Sequence, residues 1–193
     1  MKLYMIRHGQ STANAARLHA GWAQVPLTES GFEDARRAGK LLEGIHFDEI
    51  YVSDLLRAKQ TMETALPGAI GEATPLLREI NVGDLAGKNA AECLSIYGEQ
   101  YLTDKAVHNF VPYNGEDSAM HLERIREFAD LAEKCDADCI AAFCHEGSIR
   151  CMLDLVLGYR HNRKECTLNN GSVSIFELSG GRWTLVSWNN TAE

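Results

Sequence analysis

Three times in this chain a short apolar run ends in charged residues and gives way to a helical pattern. The first run, 2–6, stops at Arg7-His8-Gly9-Gln10-Ser11. The second, Phe47 to Ser53, leads into Asp54-Leu55-Leu56-Arg57-Ala58, which puts Arg57 one turn into the next helix. The third, Asp138 to Cys144, is the clearest buried strand in the sequence and runs into His145-Glu146. Strands alternating with helices imply a mostly parallel sheet covered on both faces. The expected fold is therefore an α/β class, three-layer α/β/α sandwich. In such a sheet all three junctions lie at the carboxyl edge, where ligands bind.

The remaining pattern fits that frame. Thr28 or Ser30 can cap a helix running to about Glu43, with Ala35, Ala38, Leu41 and Leu42 as its apolar stripe and Gly44 as its stop. The Arg57 helix is expected to end at Leu66 before Pro67-Gly68, and Leu76 to Ile80 to form a third short strand. Residues 89–107 look helical and precede a loop, Val111 to Gly115. Because Tyr97, Tyr101, His108, Phe110 and Tyr113 fall there, 89–115 is read as a possible cap over a pocket. A long amphipathic helix is expected at about 118–134 and another from Gly147 to Leu157, ended by Gly158. Val173–Leu178 and Trp183–Trp188 flank Gly180-Gly181, a hairpin signal that would add an antiparallel edge. No linker-like stretch interrupts the sequence, so 1–193 is read as one domain.

Charge and cysteine usage exclude some function classes. A formal net charge of -8 argues against nucleic acid as a partner, which calls for a basic stripe. No apolar run is long enough to span a bilayer, and Met1-Lys2-Leu3-Tyr4 lacks a signal peptide's apolar stretch, so a cytoplasmic protein without membrane contact is expected. The six cysteines are then read as reduced thiols, with Cys144 and Cys151 in the core. Cys135 and Cys139 lack a second close Cys or His pair, so no metal is expected.

Two arginines and two histidines scattered in sequence would thus meet at one sheet edge. Guanidinium forks match phosphate oxygens in geometry and charge. A neutral, oriented histidine is a competent nucleophile, and the neighbouring cations should keep His8 unprotonated. Glu79, in Leu77-Arg78-Glu79-Ile80, is the candidate proton donor to a leaving oxygen. Taken singly, each residue also has a plainer reading: Arg57 as a solvated helix cation, His145 as a core histidine, Glu79 as a surface carboxylate paired with Arg78. His19, His46, His108, His121 and His161 are read as surface or packing residues, with a reach to the substrate from loops as the less favoured alternative for His19 and His108. The run Glu123-Arg124-Ile125-Arg126-Glu127 is read as a salt-bridged helix face, and Arg150 as an anchor for its helix.

Five blocks then settle which reading to prefer. RHGQSTANAARLHAGWAQVPLTESG, SDLLRAKQTMETA, LREINVGDLAG, NGED and AFCHEGSIR follow one another across nearly the whole chain. In that order they resemble the histidine phosphatase superfamily, also called phosphoglycerate mutase-like. The resemblance implies His8 as the phosphohistidine nucleophile, with Arg7, Arg57 and His145 holding the phosphoryl group. It implies Glu79 as the acid that protonates the leaving group and then the base that activates water. Ser11 and Asn14 would line the phosphate pocket, although either can simply cap the following helix, and Gly21 and Trp22 would lie in the substrate loop. The family needs no metal, and no cofactor is expected for this chain.

Two departures stand out: Glu146 replaces the usual glycine after the second histidine, and Asp54 replaces the commoner proline, where it can still cap the Arg57 helix. The expected function is a metal-independent phosphomonoester hydrolase acting on a small phosphorylated metabolite. Sugar phosphates, phosphoglycerates, nucleotide-like phosphates and α-ribazole phosphate all stay open, as does the oligomeric state. The alternatives are a phosphoglycerate mutase and a non-catalytic phospholigand-binding module on the same fold.

Overall fold

The computed structural model describes residues 1–158 and 166–192, which leaves His161 outside the described residues. Among these, the strands are β1 (Lys2–Arg7), β2 (Glu49–Ser53), β3 (Glu72–Thr74), β4 (Cys139–Cys144), β5 (Val173–Ser179) and β6 (Arg182–Asn190). They form one sheet in the order β3-β2-β4-β1-β5-β6. The first four positions are parallel, and the β5–β6 hairpin adds an antiparallel edge. β4 is inserted between β1 and β2. Its register sets Cys144 beside Arg7 and Phe143 beside Val52, so the ends of the three strands are level.

Side chains alternate along each strand, and the alternation makes the layers. Leu3, Met5, Ile140, Ala142 and Cys144 pack with Ile125, Phe128, Ala129, Ile149 and Met152 on one face. The last five come from α6 (Ser118–Lys134) and α7 (Glu146–Leu157). Ile6, Val52, Ala141 and Phe143 face the other way, against Ala38, Leu42, Ala58 and Met62 of α2 (Glu29–Leu42) and α3 (Leu56–Ala65). The result is the anticipated α/β/α sandwich. A third cluster stands apart, with Ile80, Val82, Leu85, Cys93, Tyr101, Phe110 and Tyr113 packed together. It contains the helices α4 (Ala90–Tyr97) and α5 (Gln100–Val107), and a single-turn helix, α1 (Thr12–Ala15), completes the set.

Local chemistry explains where the expected elements fail. The third strand lies earlier than Leu76–Ile80, at Glu72–Thr74. Pro75 removes a ladder donor and starts a 3-10 turn, Pro75–Leu77, capped by the Thr74 hydroxyl. The helix expected over 89–107 is two helices, because Gly98 adopts φ +68° and stops the first. Asp54 does not cap α3. Leu55 occupies the N-cap position without a side-chain bond, and Asp54 instead pairs with Arg78. Among the described residues no helix is long and apolar enough to cross a membrane.

Phe143 is fully buried between β4 and the α2–α3 layer. Phe143→Ala should lower the unfolding free energy by about 3–5 kcal/mol, read from denaturant titration. Ile70 is 93 % exposed, and Ile70→Ala should change it by less than about 0.5 kcal/mol.

Candidate active site

His8 follows the last residue of β1, and its backbone is tied from three sides. Its N–H donates to the Cys144 carbonyl at 3.0 Å, while its own carbonyl accepts from Asn170 Nδ2 at 3.0 Å and from the Gly171 N–H. The chain then passes so close to α2 that a Cβ on Gly9 would fall 2.1 Å from the Gly31 carbonyl oxygen, so only glycine fits. The Gly9 carbonyl accepts from His8 Nδ1 at 2.7 Å. A carbonyl can only accept, so Nδ1 carries the proton and Nε2 keeps its lone pair.

Arg57 donates from Nε to His8 Nε2 at 3.3 Å, consistent with that tautomer. Its other two nitrogens are held by the Ala23 carbonyl at 3.1 Å and the Gly21 carbonyl at 2.9 Å. The guanidinium is 1 % exposed. Burial pushes its pKa down to about 10, opposed by Glu79, and it stays a cation at neutral pH. His145 stands beside His8, with ring centroids 5.1 Å apart, and its Nε2 meets the Ser53 hydroxyl at 2.8 Å. Burial first, and then Arg57, hold both imidazoles well below the ordinary histidine pKa.

Glu79 reaches the same place from a loop. Its Oε1 accepts from the Ile80 N–H at 2.9 Å and its Oε2 from the Gly147 N–H at 3.1 Å. A Cβ on Gly147 would fall 2.0 Å from Glu79 Oε1, so glycine is required at the start of α7. The loop backbone is clamped as well. Trp22 Nε1 donates to the Glu79 carbonyl at 2.8 Å, and Arg124 Nη1 to the Arg78 carbonyl at 2.7 Å. Ser148 Oγ donates to the Leu77 and Arg78 carbonyls, and Glu116 binds both Arg124 and the Asn81 N–H.

A cavity of about 290 Å³ joins these groups. Arg7, His8, Asn14, Gly21, Arg57 and Glu79 line it together with Glu146 and Gly147. Three expected residues are not on its wall. His145 is fully buried and packs against His8. Ser11 is fully buried and caps α1 in a reciprocal box with Asn14, so the plainer reading holds for it. Trp22 carries Arg78 over its ring at 4.5 Å and supports the Glu79 loop from behind.

Other residues do more than the sequence suggested. His19, Lys105 and His108 line the cavity from the third cluster's side, against the surface or packing role expected for the two histidines. His121 is buried, 1 % exposed. Within the 123–127 run, Arg126 pairs with Glu123 on the surface as expected, whereas Arg124 turns inward to the Glu79 loop. Nothing in the local pattern separates those two arginines. Arg7 pairs with Glu146 at 3.0 Å, and Glu146 with Arg150 at 2.9 Å, which gives Arg150 the anchoring role expected of it. Among the described residues no cluster of three or more His, Cys, Asp or Glu side chains is placed to hold a metal.

Because the folded chain holds His8 and His145 neutral, only the unfolded chain takes up their protons just below the model-compound pKa of 6.5. The stability this contributes is present above pH 6.5 and is lost as pH falls towards the depressed folded values, at up to about 1.4 kcal/mol per unit for each histidine. Imidazole ¹⁵N spectra of the folded protein should show both rings neutral at pH 6, with His8 as the Nδ1–H tautomer.

Comparison with known proteins agrees with this geometry. The profile of the histidine phosphatase superfamily (branch 1) matches residues 3–191. A phosphoglycerate mutase of Candida albicans is 42 % identical over 106 residues, 51 % of this chain and 43 % of that protein. A 2,3-bisphosphoglycerate-dependent phosphoglycerate mutase of Streptococcus thermophilus is 35 % identical over 140 residues, 68 % of this chain and 61 % of that protein. The matched stretches thus span between 43 % and 61 % of these curated relatives. Among solved structures, the alpha-ribazole phosphatase from Shigella flexneri superimposes with a TM-score of 0.90 at 27 % identity, covering 98 % of this chain and 96 % of that one. Bacillus stearothermophilus YhfR gives 0.86 at 27 % identity, with 96 % and 95 % covered. With the family profile matching almost end to end, and both imidazoles and both guanidiniums meeting at one sheet edge, the chain belongs to the histidine phosphatase superfamily, branch 1.

Proposed function

We propose that the chain is a phosphomonoester hydrolase that works through a phosphohistidine on His8 and needs no metal. One observation carries this reading: His8, its proton fixed on Nδ1 by the bond to Gly9, lines a cavity together with Arg7, Arg57 and Glu79. When a phosphoryl group enters, the Arg57 Nε–H bond passes from His8 Nε2 to a phosphoryl oxygen, Nε2 attacks phosphorus in line and the P–O bond to the leaving group breaks. Glu79 gives its proton to the departing oxygen, then takes one from the water that cleaves the P–N bond. Arg7 and Arg57 hold the phosphoryl oxygens. His145 adds a neutral donor: the Ser53 oxygen accepts from the Leu55 N–H, so its hydroxyl can donate to His145 Nε2 and leave Nδ1 as an N–H. Among the described residues Arg7 Nε and His145 Nδ1 are buried without a partner, and phosphoryl oxygens would give each an acceptor. We assign 89–115 as a cap, because Lys105, His108 and Phe110 close one side of the cavity.

The mutase relatives favour a second reading, transfer of the phosphoryl group to another substrate hydroxyl instead of water. The full-length likeness to the Shigella phosphatase favours hydrolysis. Turnover of 3-phosphoglycerate only with a bisphosphoglycerate primer, and no phosphate release, would decide for the mutase.

With p-nitrophenyl phosphate in chelator, phosphate release should be measurable and should fall to background in His8→Ala. Wild-type rates in that variant would refute the assignment. Glu79→Gln should cost an alkyl phosphate about 10²–10⁴-fold in kcat/KM, which reports transfer to His8, and p-nitrophenyl phosphate much less, because p-nitrophenolate leaves without a proton. Gly147→Ala, which forces Glu79 aside, should share that leaving-group dependence while KM changes little.

A further inference from the structure

Glu146 is the acidic residue on the cavity wall that the reaction does not use. It is the first residue of α7 and lines the cavity with His8 and Glu79. Among the described residues each carboxylate oxygen has one partner, Arg7 Nη2 on Oε2 at 3.0 Å and Arg150 Nε on Oε1 at 2.9 Å. Arg150 is 4 % exposed, whereas the Glu146 side chain is 37 % exposed, so the carboxylate faces the cavity from in front of its buried anchor. A carboxylate has about four acceptor sites, so roughly two stay open to an incoming donor.

This placement sorts substrates by charge. Arg7 is the cation of the phosphate pocket least committed to the backbone, and Glu146 already neutralises part of it. A phosphoryl dianion uses what positive field Arg7 and Arg57 leave. A second anion on the leaving group beside Glu146 would meet a carboxylate, with the two neighbouring guanidiniums already paired to it, while a hydroxyl there can donate to its open acceptor sites. Leu18, Ile80, Val82 and Phe110 supply apolar wall, which also suits an uncharged group. Lys105 is the ammonium of the lining, and its Nζ lies over the Tyr101 ring at 5.6 Å.

We infer that Glu146 is a specificity-determining residue that selects phosphomonoesters whose leaving group is neutral and hydroxylated, and rejects those that carry a second anion, such as phosphoglycerates. The inference rests on the reading of this cavity as the phosphomonoester site. It goes beyond that reading by naming the substrate class, and it sets this chain apart from the mutases it resembles.

Glycerol 3-phosphate and 3-phosphoglycerate test it, because they differ in a hydroxymethyl group against a carboxylate. Calorimetric titration into His8→Ala, which cannot turn them over, should show tighter binding of glycerol 3-phosphate. Adding Glu146→Gln, which keeps shape and removes charge, should shift the ratio of the two affinities by about tenfold towards 3-phosphoglycerate. Lys105 is present in both proteins and cancels from that comparison. Glu146→Gly should move the ratio the same way, and matched melting temperatures would show that the folds are intact. An unchanged ratio in both variants, or tighter binding of 3-phosphoglycerate before either change, would overturn the inference. Loss of p-nitrophenyl phosphate turnover in the wild type, with the charge-dependent ratio intact, would instead sink the hydrolase reading and leave the selectivity standing.

Discussion

A guanidinium buried to 1 % exposure governs the architecture around it. Removing such a group from water costs several kcal/mol unless its donors are met. Arg57 is met by the carbonyls of Gly21 and Ala23 and by the imidazole of His8. The 19–25 loop must therefore fold down over α3, and His8 must turn a lone pair towards Arg57. A protonated His8 would leave two cations facing each other in a dry site. The tautomer that the proposed nucleophilic role of His8 needs is thus also the one that lets Arg57 be buried, so stability and the proposed chemistry ask for the same proton position.

The carboxylate of Glu79 is fixed in a different way. Its loop has little regular structure of its own, so neighbours supply the constraints. Trp22, Arg124 and Ser148 hold its carbonyls, Glu116 locks Arg124, and the start of α7 presents an N–H to its side chain. These supports come from four separate stretches of chain. The proton-donor role proposed for Glu79 needs placement to within a fraction of an ångström, and a cage of hydrogen bonds holds this carboxylate. Gly147 is the point where the cage leaves no space for a single extra carbon.

The sheet and the convergence of its carboxyl edge were legible in the sequence, because buried strands announce themselves as apolar runs and the parallel arrangement follows from the intervening helices. His8, Arg57 and His145 could be placed for the same reason. What escaped was set by contacts distant in sequence. Arg124 and Arg126 sit two residues apart in one helix, and only the packing of α6 against the Pro75–Leu77 turn decides which of them turns inward. The third strand was placed too late because Leu76, Leu77 and Ile80 are apolar enough to mimic one, while Pro75 breaks the ladder before them. Ser11 and Trp22 were assigned to the pocket by resemblance, and the structure uses their hydrogen bonds for support instead. His19 and His108 reach the cavity from the 80–115 side, whose fold no periodicity described.

The insertion of β4 between β1 and β2 bears on how the chain is made. β1 leaves the ribosome first, yet its partners in the sheet are β4 and β5, with Lys2 opposite Cys139 and Glu177. Such distant pairings slow folding, since a long stretch must be ordered before any gain is realised. Until then Leu3, Met5 and Ile6 have no sheet neighbour to cover them, and the nascent chain carries an unpaired apolar strand until β4 emerges. The segment that leads into His8, the proposed nucleophile, is therefore also one with great need of protection from aggregation during translation.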